Sequence, residues 1–300
     1  MAHSARTAHR NVTKLAFCMA LLLVTMKLLA WAMTGAISLL ASAFDSGMDV
    51  IASAVNLMAV RVAQIPADED HGFGHGKAEP LAGLAQTLFI GISATLLLLQ
   101  SFASFSYPMT PQFIWVGMWV SILSVFLTFG LTRLQRRALR LAPSVAVAAD
   151  HAHYLGDLYL NLGVILSLAC AAYLGWHWVD GAFGIAVALY LLWMARGIFV
   201  DSWHMLMDRE LPEGDRTKIA RICQAHGAIV GIQNLKTRRS GPDCYIQFDL
   251  MLDGNLSLIE AHDIGETIEA EISMAFPAAH ILIHHEPVLL DAKGLLNKPA

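Results

Sequence analysis

The chain has 300 residues, 56% of them hydrophobic and only 15% charged, with a net charge of −4. An ordinary soluble domain carries about 25% charged residues, so an all-soluble architecture is excluded, and the small net charge gives no ground for a nucleic-acid partner. The four cysteines, Cys18, Cys170, Cys223 and Cys244, form no CxxC pair, which argues against a zinc–thiolate site or a disulfide framework.

Residues 1–14 are polar and basic, ending at Lys14, and an apolar run follows. That run is too long for the apolar core of a signal peptide, and more spans follow it, so it reads as a retained first helix. Six segments are long and apolar enough to cross a bilayer: residues 15–33, 37–62, 81–105, 113–132, 145–174 and 178–200. Pro108 and Pro111 punctuate the third connection, and Gly175 marks the fifth. The second and fifth segments carry internal charge.

Lysine and arginine set the orientation. Arg6, Arg10 and Lys14 precede the first span, and Arg61 and Lys77 flank the second connection. Arg133, Arg136, Arg137 and Arg140 lie in the fourth connection, and Arg196 and Arg209 lie near the end of the sixth span. The other three connections carry neither residue. By the positive-inside rule both termini and both longer loops are cytoplasmic. The basic run at 133–140 fits topology and anionic-lipid contact better than nucleic-acid binding.

From about residue 208 the composition becomes that of a soluble domain. Pro212 and Glu213 open a predicted helix to about Ala225, and residues 229–237 and 245–252 read as strands joined by a turn at Ser240, Gly241, Pro242 and Asp243. Ser257 with Glu260 predicts a capping box on a helix to about Ala275, and residues 281–284 read as a last strand. The order α-β-β-α-β predicts a small α+β domain, a sheet with helices on one face. The expected division is therefore a six-helix transmembrane domain over 1–207, a cytoplasmic domain over 208–290 and a loose tail over 291–300.

Chemistry concentrates in three places. Asp45 and Asp49 are four residues apart in the second span, and His153 and Asp157 repeat that spacing in the fifth. Four residues is about one helical turn, so each pair shares a helix face. Asp45 and Asp49 fall about 12 and 18 Å below the outer edge of a core about 30 Å thick. His153 and Asp157 fall about 12 and 18 Å above its inner edge. Two antiparallel helices thus carry all four groups to the same depth, where an unpartnered ionisable group costs several kcal/mol. Imidazole with carboxylates is a ligand set for zinc and its neighbours, and the histidine argues against magnesium or calcium. A helix-locking polar network and a proton relay are the readings that need no metal. Asp150 and His151 lie nearer the cytoplasmic surface and read as interfacial. Lys27 in the first span is expected to snorkel to an interface or to pair with an acid.

The second place is the loop after the second span, where Asp68, His71 and His75 offer three ligands among glycines that allow tight bends. The third is the soluble domain, with Asp249 on the second strand, His262 early in the second helix, and His284, His285 and Glu286 at the end of the last strand. Strand alternation puts His284 and Glu286 on one face and His285 on the other.

Asp45-Ser46 with Asp49, the run from His71 through Gly72, Phe73, Gly74, His75, Gly76, Lys77 and Ala78 to Glu79, and His153 with Asp157 resemble the cation diffusion facilitator family. The match is to its bacterial ferrous-iron and zinc efflux pump branch. It extends over nearly the whole chain, including Thr237-Arg238-Arg239-Ser240-Gly241-Pro242 and His284-His285-Glu286-Pro287. The resemblance implies a homodimeric metal/proton antiporter of the bacterial inner membrane, with a metallochaperone-like cytoplasmic domain and no organic cofactor. It implies a transport site at Asp45, Asp49, His153 and Asp157, and a loop site at Asp68, His71 and His75. It also implies an interlock between Lys77 and Asp208. The branch carries histidines at the positions of Gln233 and Asp249 here. Their replacement predicts one cytoplasmic ion, or weaker binding, where the branch holds two.

The function expected is proton-coupled export of a divalent transition metal by alternating access, zinc foremost, with cadmium or iron(II) next. Two other readings use the same features: a metal-gated cation channel, and a membrane-anchored metal sensor or scaffold. None involves covalent chemistry, so an enzyme is not expected.

Overall fold

The computed structural model describes residues 2–34, 37–106, 114–176 and 178–288, with the side chain of Asp45 and some others outside the described set. The expected punctuation at Pro108 and Pro111 and the tail from Asp291 also lie outside it. Two compact units emerge, one over residues 3–203 and one over the C-terminal part from His204.

The first unit is six helices: α1 (Ala2–Thr34), α2 (Ile37–Val62), α3 (Ala78–Ser106), α4 (Ile114–Leu141), α5 (Val145–Leu174) and α6 (Trp178–Leu206). Stretches of α1, α3, α4 and α6 are, among the described residues, long and apolar enough to cross a membrane. α2 and α5 carry the ionisable pairs. Both have the bounds expected of them, whereas α1, α4 and α6 run beyond their apolar windows. An apolar window measures the hydrocarbon crossing, but a helix continues into water wherever its residues favour helix. The arginines, leucines, Gln135 and Ala138 of the α4 extension do so. Ser144 starts α5, its Oγ accepting from Val147 N, and Gly175 ends it in the left-handed conformation at φ 68°.

α5 is the hub. Ala149 and Ala152 pack with Ile90 and Ala94 of α3 and with Val187, Leu191, Ala195 and Ile198 of α6. Ala146 and Val147 pack with Val12, Val60 and Ala138 from α1, α2 and α4. Small residues let helices approach closely where lipid supplies no hydrophobic drive. Gly156 and Gly163 take this furthest, since a Cβ there would collide with Leu191 and Phe183 of α6. On the outer surface, Leu88, Leu99, Phe126 and Trp193 stand exposed, a surface suited to hydrocarbon.

The second unit has α7 (Glu213–Gln224), β1 (Ile229–Ser240), β2 (Asp243–Asp253), α8 (Leu258–Ala275) and β3 (Ala279–Val288). The expected αββαβ order holds, with each strand longer than its apolar stretch because the ladder runs on through polar residues. β1 and β2 pair antiparallel around a turn with Gly241 at φ 57°, and β3 pairs parallel to β2. Ser257 and Glu260 form the expected capping box on α8. Ile246, Phe248, Leu250 and Leu252 of β2 face Ile219 and Cys223 of α7 and Ile268 and Ile272 of α8. The helices cover one face of the sheet, and the other face is open. Glu210 accepts from Thr237 N at 2.8 Å, and Thr237 Oγ1 accepts from Leu211 N at 3.0 Å, fixing the entry segment to β1.

Replacing Gly156 by valine places a branched side chain against Leu191, a small-to-large change that costs typically about 1–3 kcal/mol. Thermal unfolding of the detergent-solubilised protein should show a lowered midpoint for Gly156→Val.

Candidate metal centre

α2 and α5 pack against each other within the first unit. His153 Nε2 lies 2.9 Å from Asp49 Oδ1 and 3.7 Å from Asp157 Oδ2. One ligand atom from each of Asp49, His153 and Asp157 lies within 4.8 Å of the others. Their side chains keep 11–27% of their surface, so the cluster is enclosed but reachable. Asp45 precedes Asp49 by one turn of α2, on the same helix face; its side chain is outside the described set. The described set is thus one nitrogen and two carboxylates, three of the four ligands that a tetrahedral zinc-type ion takes.

Neighbouring side chains hold the two helices in this register. Tyr154 O–H donates to the Ala16 carbonyl of α1 at 3.1 Å, leaving its oxygen to accept from Ser53 Oγ of α2 at 2.9 Å. One phenol beside His153 therefore ties α1, α2 and α5 together. Ser53 and Asn56 follow Asp49 at helical spacing, extending its polar stripe inward. Sequence reasoning passed over this stripe, although the 49-53-56 spacing carries the signal.

The interfacial reading of Asp150 is corrected. Asp150 is 1% exposed, and its Oδ2 accepts from Gln135 Nε2 at 2.8 Å. Gln135 itself is fully buried, and its Oε1 lies 3.4 Å from His151 Nδ1. The cause is the α4 extension, which covers the start of α5 at a level where depth alone suggests an interface. Asn56 of α2 faces the same buried Asp150 carboxylate, its Nδ2 and the Asp150 Oδ1 both lying beneath the surface.

The loop between α2 and α3 brings its three expected ligands together. Asp68, His71 and His75 each offer an atom within the same 4.8 Å limit. Asp68 Oδ1 accepts from His71 N at 2.7 Å and from Asp70 N at 3.1 Å, and each imidazole approaches the Asp68 carboxylate to 3.4 Å. Gly74 turns the chain at φ 74°, a left-handed position that glycine adopts without strain. The His71 backbone N–H holds the Asp68 carboxyl below the usual carboxylate range, and the neighbouring imidazoles His75 and His71 add to this. A lowered value means that the charged form persists as the solution is acidified. Its contribution is complete above the ordinary aspartate value near 3.9 and is lost only as pH falls through the lower folded value. Asp68 is therefore anionic throughout the neutral and mildly acid range.

The cytoplasmic candidates are not gathered into one cluster among the described residues. Gln233, Asp249 and His284 occupy one row across the three strands. His284 Nε2 lies 3.6 Å from Glu286 Oε2 on the open face. His262 is on the exposed side of α8, 3.4 Å from Glu266. His285 belongs to neither, for its ring turns inward onto Gly265 of α8. Asn234, at φ 50° in a β-bulge, donates Nδ2 to Asp249 Oδ2 at 2.6 Å. Lys236 lines the same cleft of about 260 Å³ as Asp249 and His284. An amide already bonded to the carboxylate, and a lysine charge beside it, both oppose cation binding there. Asp208 Oδ1 accepts from Arg238 Nη1 at 3.1 Å within the second unit, while Lys77 belongs to the first.

Known proteins bear on this arrangement. The cation efflux transmembrane domain matches residues 13–207, and the cytoplasmic domain of cation efflux proteins matches residues 211–288. A cation-efflux pump FieF from Shewanella oneidensis is 44% identical over 272 residues, covering 91% of this chain and 92% of that protein. Pumps of the same name from Yersinia enterocolitica and Klebsiella pneumoniae are 38% and 39% identical, again covering 90% or more of each chain. The fold and these matches define a polytopic cation-efflux transporter. The chain belongs to the cation diffusion facilitator family of cation-efflux pumps.

Replacing Asp68 by asparagine removes the anionic ligand of the loop. Calorimetry at pH 7 should then show zinc affinity at that site weakened at least about tenfold, since ligation requires the charged form. Calorimetry on the cytoplasmic domain should find fewer than two tightly bound zinc ions per protomer, as Gln233, Asn234 and Lys236 dictate.

Proposed function

We propose that the protein exports a divalent transition metal from the cytosol in exchange for protons, with zinc the foremost substrate and cadmium or iron(II) next. The observation that carries this reading is the convergence of Asp49, His153 and Asp157 from two membrane helices. The nitrogen-and-carboxylate donor set suits these metals over magnesium or calcium. Asp45, Asp49, His153 and Asp157 form the transport site. The ligands are basic groups, so taking up metal expels protons, and releasing metal lets them reload. Opening the site to one side at a time converts that competition into exchange.

The remaining assignments follow from this role. Asp68, His71 and His75 form a second, loop-borne metal site, and the residues on the open face of the cytoplasmic sheet form a weaker one. The protein works as a homodimer in a bacterial inner membrane, with both termini in the cytoplasm, as the lysine and arginine distribution supports. Lys77 and Asp208 pair at the membrane surface and brace the dimer.

The test is zinc flux into proteoliposomes with and without an imposed pH gradient. The gradient should drive zinc uphill with saturable kinetics, and Asp49→Ala should lower the flux to background while leaving the thermal midpoint within a few degrees. Flux indifferent to the gradient, or running only downhill, would favour the channel reading instead.

A further inference from the structure

Lys27 is a cation within a membrane span that bonds to a residue of a ligand-bearing helix. It follows Lys14 on α1 by a rise of about 20 Å, well inside the hydrocarbon. A lysine at such depth either snorkels or finds a partner. Here it turns sideways. Lys27 Nζ donates to Ser46 Oγ at 2.6 Å, and Ser46 is 2% exposed. Ser46 follows Asp45 by one residue and precedes Asp49 by three on α2. The ammonium, with three donors and no acceptor, is therefore tied to the turn of α2 that precedes Asp49. A serine hydroxyl alone is a poor partner for a buried charge, and Lys27 has further interactions beyond it.

We propose that Lys27 is a built-in competitor for the metal: its fixed positive charge leans on the α2 carboxylates and weakens their hold on the ion, so that release to the outer side is fast. The inference rests on the transport site proposed above. A divalent ion at Asp49 and an ammonium held by Ser46, three residues before it on α2, carry like charge and repel each other through a medium of low polarity. Three carboxylates around one ion otherwise make a trap, since tight binding in the ground state does not raise turnover. Lys27 is a positioning residue in this scheme; it need not touch the metal.

The test is zinc flux by the full-length protein in proteoliposomes. Lys27→Gln, which keeps a donor for Ser46 and removes the charge, should lower both KM and kcat for zinc by about fivefold or more, leaving kcat/KM little changed. Lys27→Arg should restore both to within about twofold. Lys27→Gln with unchanged KM and kcat, or with a raised KM, would overturn the proposal. Should Lys27→Gln fail to fold, Ser46→Ala keeps every charge and only unhooks the ammonium. It should shift KM and kcat in the same direction, and no shift would be equally fatal. Asp157→Ala separates the two readings. If it transports like the wild type, the transport site is misplaced and the role of Lys27 falls with it. If its flux vanishes while Lys27→Gln behaves as wild type, only the role of Lys27 falls.

Discussion

A carboxylate or imidazole in the hydrocarbon interior costs several kcal/mol unless something satisfies it, and the transmembrane unit is organised around meeting that cost. Asp49 and Asp157 meet it through His153, which lies within reach of both. Asp150 meets it through Gln135, and Ser46 gives Lys27 a place to rest. Each partnership joins different parts of the bundle: α2 to α5, α4 to α5, α1 to α2. The polar groups needed for metal chemistry are thus also the ties that choose which helices are neighbours.

Apolar packing then sets how closely those neighbours stand. α5 carries alanines and glycines where it meets α3 and α6, so its backbone is held from that side by Leu191 and Phe183 entering its small-residue positions. On its other side Tyr154 reaches both α1 and α2. The stretch of α5 that presents His153 and Asp157 is therefore held from two sides, which fixes the side chains it carries. The loop cluster of Asp68, His71 and His75 is built on the opposite plan, from a short exposed turn in which backbone N–H groups fix one carboxylate and glycine supplies the bend.

Much of this was legible in the chain itself. Asp49 in one apolar segment and His153 with Asp157 at i,i+4 in another are singled out by spacing alone, and the structure brings these three side chains together; the Asp45 side chain lies outside the described residues. The capping residues Ser257 and Glu260 and the Gly241 turn marked the soluble fold. What escaped was set by contacts between distant segments. Asp150 looks interfacial until α4 is seen to run past the apolar stretch and bury it. The role of Tyr154 is invisible because a tyrosine in an apolar run gives no sign of its partners. Asn234 and Lys236 look like ordinary strand residues until a bulge turns one onto Asp249 and the cleft gathers the other.

The two helices that supply the ligands run in opposite directions, and this has a mechanical consequence. A helix advances 1.5 Å per residue, whereas metal–ligand distances tolerate about 0.2 Å. Sliding α2 along α5 by a small fraction of one residue therefore takes Asp49 out of range of an ion held by His153 and Asp157. On the transport site proposed above, an ion shared by the two helices would act as a removable pin through two sliding rods. Inserting it locks their register, and only a motion that slides or tilts one rod against the other can draw it out.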